Sequence, residues 1–337
     1  MSKKIILQKY LNRVRNKKRK NFLLTALKMG VNIDVISADF RLLRLSWRGK
    51  SKVLFRSKAH FNKKPSTFFT HNKEITKILL QEAGISVPLG IFSRNFSGAL
   101  RQMNRKKLPF PVVAKPIDAS EGFCVTVGIR DKKELATAIN EIMRLKVKYP
   151  RPLSDLFMVE RLVSGNDFRI LTLNKKIIAC AQRVPAHIVG DGKTKIKDLI
   201  KNFNSKRVSL YQIKVDSSLS LELKKRNLNL NSIISRGQYL QLRKNANICT
   251  GGRAIDKTGQ VSKRFEKIAL KCMEALGLNY GGIDIMTDDI SSNNPSQPYY
   301  IIEINADPDF EPHEKPIIEG KGVKVGEILV KEFMNQR

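Results

Sequence analysis

Near the end of the chain, three oxygen-bearing side chains stand where they could share one cation. Glu303 and Asn305 lie two apart in Tyr299-Tyr300-Ile301-Ile302-Glu303-Ile304-Asn305, and Asp284 interrupts the apolar run Ile283-Asp284-Ile285-Met286. Both runs read as buried strands, and alternate residues of a strand share a face. That alternation puts Glu303 and Asn305 on one side and sends Ile302 and Ile304 into the core. A carboxylate on a buried strand is costly unless it is paired or binds a cation. An all-oxygen set suits Mg²⁺, which takes its other ligands from water and phosphates. The competing reading is a salt-bridged carboxylate pair at a strand end. It would win for Asp284 or Glu303 alone; Asn305 as a third donor favours the metal.

Two lysines are placed to meet an anion. Lys73 opens a helical stretch, and Lys115 closes the apolar strand Pro111-Val112-Val113-Ala114-Lys115-Pro116. A lysine on an apolar strand wants a fixed anion, commonly phosphate. Snorkelling of a long side chain is the alternative for each. The loop Asp118-Ala119-Ser120-Glu121-Gly122 could bring backbone N–H groups to phosphates, although no GxxxxGK[ST] loop occurs anywhere. Glu160 ends the strand Phe157-Met158-Val159-Glu160, and Val163 follows in a connector whose backbone could read an adenine edge. Asp167 could accept ribose hydroxyl hydrogens. By composition alone this last set is equally an ordinary polar link between strands.

The elements that must position these groups are legible as alternating helices and short hairpins. The patterning predicts a helix over 72–83, capped by Asn72, with Ile75, Ile78 and Leu79 as its apolar stripe and Gly84 ending it. It predicts an amphipathic helix over 132–145, a hairpin pairing 168–173 with 177–183, and helices over 196–203 and 265–276. Strands are expected at 282–287 and 299–305. Residues 1–20 read as a basic, helical or loose lead-in, 31–36 and 41–45 as strands, 61–70 as a connector around Pro65, and 204–247 as a partly helical insertion. The fold class is therefore α+β or α/β subdomains.

Bulk properties narrow the functions. The chain has 337 residues, 42 % of them apolar, which suits two or three subdomains. No apolar run is long enough to span a bilayer, and the basic start lacks an apolar segment of signal length. Cys124, Cys180, Cys249 and Cys272 lie far apart, with neither metal-ligand spacing nor a disulfide framework. A cytoplasmic location is the expectation. The net charge of +33 is concentrated early: residues 1–64 hold 19 Lys and Arg against 2 Asp and Glu. Such a block either attracts an anionic partner or is a solvated face. It lacks the aromatic interleaving of a single-strand binder, so nucleic acid is not the expected partner.

Taken in order, these segments resemble the ATP-grasp superfamily. Within it they are similar to the ATP-grasp module of cyanophycin synthetases and the ligase module of bifunctional glutathione synthetases. The resemblance is carried by Asn72-Lys73-Glu74-Ile75-Thr76-Lys77, Val113-Ala114-Lys115-Pro116, and Val159-Glu160 through Asp167-Phe168-Arg169. It continues through the blocks 183–192 and 245–252, Gly282-Ile283-Asp284-Ile285, and Glu303-Ile304-Asn305 with Pro308 and His313. It implies an α+β fold in which two α/β subdomains grip ATP, preceded by a small basic region. The expected division is 1–67, a basic N-terminal region; 68–160, the lid subdomain; and 161–337, the subdomain with the metal site.

The resemblance also implies roles. Lys73, Lys115 and the loop residues Glu121 and Gly122 would bind ATP phosphates; Glu160, Val163 and Asp167 would hold adenine and ribose. Asp284, Glu303 and Asn305 would hold Mg²⁺, with Mn²⁺ as a substitute. Arg183, Arg243 and Asn247 would face the phosphoryl or acceptor site. The activity implied is an ATP-dependent ligase joining a carboxylate to an amine through an acyl phosphate, with no protein nucleophile. His187, in a loop beside Pro185, reads as structural. The family loop near 118–124 usually carries more glycines, whereas Phe123 and Cys124 follow Gly122 here, and the glycine often found after Pro308 is Asp309. A chain ending at Arg337 is expected to lack the second, Mur-ligase-like half of cyanophycin synthetase. The early basic block suggests an acidic amino acid, peptide or polymer as substrate, and a homo-oligomer is compatible. The alternative is a non-catalytic nucleotide-binding protein that docks on an anionic partner through its basic N-terminus.

Overall fold

The computed structural model describes residues 3–56, 61–119, 122–150, 152–207, 211–243, 245–246, 248–315 and 318–336. The basic lead-in is packed structure rather than a loose arm. Helices α1 (Lys3–Arg13) and α2 (Lys17–Lys28) precede β1 (Asn32–Ser37), β2 (Leu42–Trp47) and β3 (Lys50–Phe55), an antiparallel sheet in that order. Asn16 caps α2 by accepting from the Arg19 backbone N–H. The few apolar residues of this basic stretch recur at core spacing. Leu23, Leu43 and Leu45 are fully buried, in one cluster with Leu329, Val330 and Phe333 from the far end of the chain.

The expected connector at 61–70 is mostly helix. Pro65 sits in the first turn of α3 (Lys64–His71), where a missing N–H costs nothing. Asn72 then caps α4 (Lys73–Glu82), accepting from the N–H groups of Glu74 and Ile75. The helix lies where its spacing predicts, but its buried face differs. Thr76, Lys77 and Leu80 are buried, while Ile78 is 47 % exposed. The face is rotated because Lys77 has a buried carboxylate to meet.

Next come β4 (Gly90–Ser93), α5 (Phe96–Arg105), β5 (Val112–Pro116), β6 (Thr126–Ile129), α6 (Lys132–Leu145) and β7 (Phe157–Arg161). The four strands form an antiparallel sheet of order β4-β7-β5-β6. Leu135, Ala138, Ile139 and Ile142 of α6 are buried in one core with Ile91, Val112, Phe157 and Val159.

A second, five-stranded sheet follows. β8 (Asn166–Leu173) and β9 (Lys176–Val184) are joined across Asn174 and Lys175, both at positive φ, as a two-residue hairpin with the twist of its strands requires. Between β9 and the next strand of that sheet lies an inserted unit: β10 (His187–Val189), α7 (Ile196–Ser205), α8 (Ser217–Lys224) and β11 (Tyr239–Gln241). It has its own apolar cluster, including Ile188, Ile196, Leu219 and Leu240. The chain then runs through β12 (Arg253–Asp256), α9 (Lys263–Ala275), β13 (Tyr280–Thr287), β14 (Tyr299–Asn305), α10 (Glu311–Glu314) and α11 (Val325–Asn335). The sheet order is β12-β9-β8-β13-β14, antiparallel throughout.

One irregularity matters to the site. Asp284 pairs with Glu303, but Ile285 pairs with Ile301, so Ile302 is the extra residue of a β-bulge. Strict alternation therefore fails at Ile302. Ile301 and Ile304 are the core residues, each 1 % exposed, and Ile302 is half-buried. The architecture is α+β with antiparallel sheets. No described helix is long and apolar enough to cross a membrane.

Candidate active site

Asp284 is the middle residue of a three-strand row. The register sets it opposite Arg169 on β8 and opposite Glu303 on β14, and directly opposed residues share a face. Arg169 donates from Nε to Oδ1 at 2.6 Å and from Nη2 to Oδ2 at 2.7 Å. Arg183, on β9, places Nη2 2.9 Å from Asp284 Oδ2 and donates to Asp167 Oδ1 from Nε at 2.9 Å and Nη2 at 2.6 Å. Burial would raise the Asp284 carboxyl, but Arg169 and Arg183 overcome it and hold it at about 2. Asp167 is pushed up by burial and by Asp284, against the pull of Arg183. Burial opposes the charge on Arg183, yet the two carboxylates raise its pKa further. His313 is buried alongside; burial, with Arg169 and Arg183, pushes it down to about 3, so it is neutral at pH 7.

A second ionic cluster lies between β5, β7 and α4. Glu160 is 3 % exposed, and its two oxygens sit 2.5 Å from Lys77 Nζ and 2.5 Å from Lys115 Nζ. Lys77 also donates to the Pro88 carbonyl at 2.9 Å. Burial favours the neutral acid at Glu160, but Lys115 and Lys77 prevail and hold the carboxyl at about 2. For Lys77 the balance falls the other way: burial lowers its pKa despite Glu160. The cluster thus favours the carboxylate more than it favours this ammonium.

Lys73 joins the two centres. Its Nζ donates to the Ala119 carbonyl at 2.7 Å and lies 3.7 Å from Glu303 Oε1. Its backbone N–H donates to the Ile117 carbonyl at 3.2 Å, tying the start of α4 to the chain just beyond Lys115. Burial lowers the Lys73 pKa, Glu303 opposes it, and Lys115 adds like-charge repulsion. A phosphate chain laid here would relieve that repulsion by giving both lysines an anion.

This arrangement has relatives. A family model described as the RimK-like ATP-grasp domain matches residues 233–325. A cyanophycin synthetase of Crocosphaera subtropica is 34 % identical over 255 residues, 73 % of this chain and 28 % of that protein. The bifunctional glutathione biosynthesis protein of Enterococcus faecalis is 28 % identical over 311 residues, 88 % of this chain and 39 % of that protein. The crystal structure of a bifunctional glutathione synthetase from Pasteurella multocida superposes with a TM-score of 0.64 at 23 % identity, covering 94 % of this chain and 43 % of that one. The chain belongs to the ATP-grasp superfamily. It spans under a third of the cyanophycin synthetase and about two fifths of the glutathione proteins.

Within the ATP-grasp fold, the expected site residues fall into groups. Asp167, Arg183, Asp284 and Glu303 come together on the five-stranded sheet, Lys115 and Glu160 on the four-stranded one, and Lys73 between them. Asn305 is two residues beyond Glu303 and pairs with Gly282. Val163 is half-buried in the β7–β8 connector, and Gly122 is exposed at a turn with φ +75°. Glu121 and Asn247 lie outside the described residues. Arg243 is held inside the inserted unit, where Nη2 donates to the Lys214 carbonyl at 2.7 Å and Asp216 Oδ2 at 2.8 Å. It is not among the residues gathered around Asp284. His187 donates from Nδ1–H to the Pro185 carbonyl, 2.9 Å away, and stacks on Tyr239, a scaffold arrangement.

Three contributors were not singled out by the sequence. Lys77 had a signal, since it follows Lys73 by four residues and shares its helix face. Arg169 is two residues beyond Asp167 and so on its face of β8, opposite Asp284. Tyr211 had no local signal. Its hydroxyl donates to Asp309 Oδ2 at 3.0 Å and Glu311 Oε2 at 2.7 Å, so the inserted unit docks beside the end of β14. Asp309, the departure from the family glycine, is therefore a docking point.

The donor set fits a hard divalent cation. Among the described residues no group of three or more His, Cys, Asp and Glu forms a metal cluster. The candidate set reaches three donors through the Asn305 amide. Asp284 and Glu303 are cross-strand partners, and all three donors are oxygens, as Mg²⁺ requires. Asp284 shares its oxygens with two arginines, so cation and guanidinium compete for it.

Proposed function

We propose that this chain is an ATP- and Mg²⁺-dependent carboxylate–amine ligase that forms amide bonds through an acyl phosphate. The observation that carries this reading is Lys73, standing between the Lys115 strand and Glu303, so that phosphate-binding cations and an oxygen-only metal set face one space. The curated relatives, by name a cyanophycin synthetase and a glutathione biosynthesis protein, make the same class of bond the natural expectation.

In this reading Lys73 and Lys115 hold the phosphate chain, with Gly122 in the loop above it. Glu160 and Val163 face adenine. Asp167 faces ribose, sharing its carboxylate with Arg183. Asp284, Glu303 and Asn305 hold Mg²⁺, or Mn²⁺ in its place. When bound, the metal neutralises charge on the transferring phosphoryl group. A substrate carboxylate oxygen attacks the γ-phosphorus and ADP leaves. An amine then attacks the acyl carbon and phosphate leaves. In this reading Arg183, held between Asp167 and Asp284, donates to the transferring oxygens. Neither step asks for a protein nucleophile, and neutral His313 supplies no imidazolium at pH 7.

The test is a phosphate-release screen over pairs of amino acids and dipeptides, with Asp284→Asn as the blank. Release that needs both a carboxylate and an amine supports the ligase. Nucleotide binding with no release under any pair would favour the non-catalytic alternative.

A further inference from the structure

The chain directly after the candidate metal donors is held from outside its own sheet. Asn305 ends β14, and residues 306–310 lead from it into α10. The Asn62 side chain donates to the Ala306 carbonyl at 2.9 Å. Lys18 of α2 donates to the Asp307 carbonyl and stands 3.8 Å from the carboxylate of the same residue. Lys17, the first residue of α2, is ion-paired with Glu311, and its Nζ lies 3.6 Å from the centre of the Tyr211 ring. The Tyr211 hydroxyl in turn donates to Asp309 and Glu311. Phe310, 3 % exposed, sits in the apolar cluster of the N-terminal region with Phe22 and Leu23. Distant parts of the chain thus meet on one loop: α2, the inserted unit and the residues beyond β14.

That loop transmits its position to Asn305. Pro308 is buried in its middle and seats directly on β13, where a Cβ added to Gly282 would lie 2.8 Å from the Pro308 Cβ. Gly282 is the cross-strand partner of Asn305. With no side chain between them, a shift of Pro308 reaches the backbone that pairs with Asn305, because close-packed interiors pass displacement on. The anchor itself is strong. Lys17 and Glu311 are mostly sheltered from water, so salt screens the pair less than a surface one, and the Tyr211 ring face adds a cation–π contact. In this part of the basic block, positive charge is spent on the protein's own carboxylates. We propose that Lys17, through Glu311 and Tyr211, is a positioning residue for the divalent cation: α2 fixes the loop that sets Asn305. The inference rests on the reading of Asp284, Glu303 and Asn305 as the donors of that cation.

The test is isothermal titration of the full chain with a non-hydrolysable ATP analogue, with and without Mn²⁺, so that no turnover is needed. The ratio of the two affinities isolates the gain due to the metal. Lys17→Met should cut that gain by about fivefold, less than the roughly 10–100-fold typical of a group bonded directly to a metal ligand, because the loop intervenes. Affinity for the metal-free analogue should not change. Lys17→Arg should keep most of the gain, since a guanidinium serves both the ring and the carboxylate. Lys50→Met is the control: it removes another contact between the N-terminal region and the C-terminal end, to Asn335, away from this loop, and should keep the full gain. If Lys17→Met does not fold, as judged by circular dichroism, Tyr211→Phe decides, and it should lower the gain in the same sense. The inference is overturned if the folded variant keeps the parent's gain, if Lys50→Met loses as much, or if Lys17→Arg does no better than Lys17→Met. A parent with no gain from Mn²⁺ would overturn the donor assignment along with it; a parental gain indifferent to Lys17 overturns this inference alone.

Discussion

Replacing Glu160 by glutamine should destabilise the fold by about 3 kcal/mol at neutral pH, because it strands two buried lysines. Glu160 is 3 % exposed, with each oxygen 2.5 Å from an ammonium nitrogen. Its carboxyl is held at about 2 against an ordinary 4.5. That difference corresponds to roughly 3 kcal/mol favouring the folded carboxylate. Breaking one side of a buried pair typically costs about 3–5 kcal/mol. The lower figure is the better one here, since burial already lowers the Lys77 pKa and its charge costs stability at neutral pH even in the parent.

The sign with pH follows from the depressed carboxyl. Its contribution is complete above the unfolded value near 4.5 and is lost as the pH falls toward about 2. Urea unfolding at pH 7, 5 and 3.5 should therefore show a full gap between parent and variant at the first two and a narrower gap at the third. Adding Lys77→Met to Glu160→Gln should recover part of the loss. Equal stability at pH 7, or a gap that widens in acid, would refute the reasoning.

Other consequences are as direct. Asp284→Asn should bring ATP turnover to background while keeping the strand register, as checked by circular dichroism alongside the phosphate assay. Chelation with EDTA should stop turnover, and Mg²⁺ or Mn²⁺ should restore it where Ca²⁺, with its longer, looser coordination, restores less. Tyr211→Phe removes a hydroxyl shared by Asp309 and Glu311 and should loosen the inserted unit by about 1–3 kcal/mol. Hydrogen exchange should then rise across α7 and α8 and not in the four-stranded sheet.

Much of this was readable from local pattern because local rules decided it. The Asn72 cap, the 132–145 helix and the 299–305 strand each rest on chemistry within a few residues. What escaped was set at long range. Ile75, Ile78 and Leu79 outrank Thr76 and Lys77 in hydrophobicity, yet Lys77 is buried because Glu160, 83 residues away, awaits it. Alternation placed Ile302 in the core; a bulge opposite Asp284 moved Ile301 there instead. The 61–70 segment carries proline and lysines and reads as a connector, but α3 packs against the C-terminal half, with Ser66 donating to the Gly277 carbonyl at 2.8 Å. Asp284 itself was legible as a buried carboxylate needing a cation. The sequence offered a metal; the fold also supplies Arg169 and Arg183.

The central claim is bond formation, and product analysis tests it most directly. The chain is incubated with ATP, Mg²⁺ and the amino-acid pair that gives the fastest phosphate release, and the products are read by mass spectrometry. A new amide in equal amount to ADP and phosphate, absent with Asp284→Asn, is the result expected. ADP and phosphate without any amide, or a phosphorylated substrate that accumulates in the presence of amine, would contradict it.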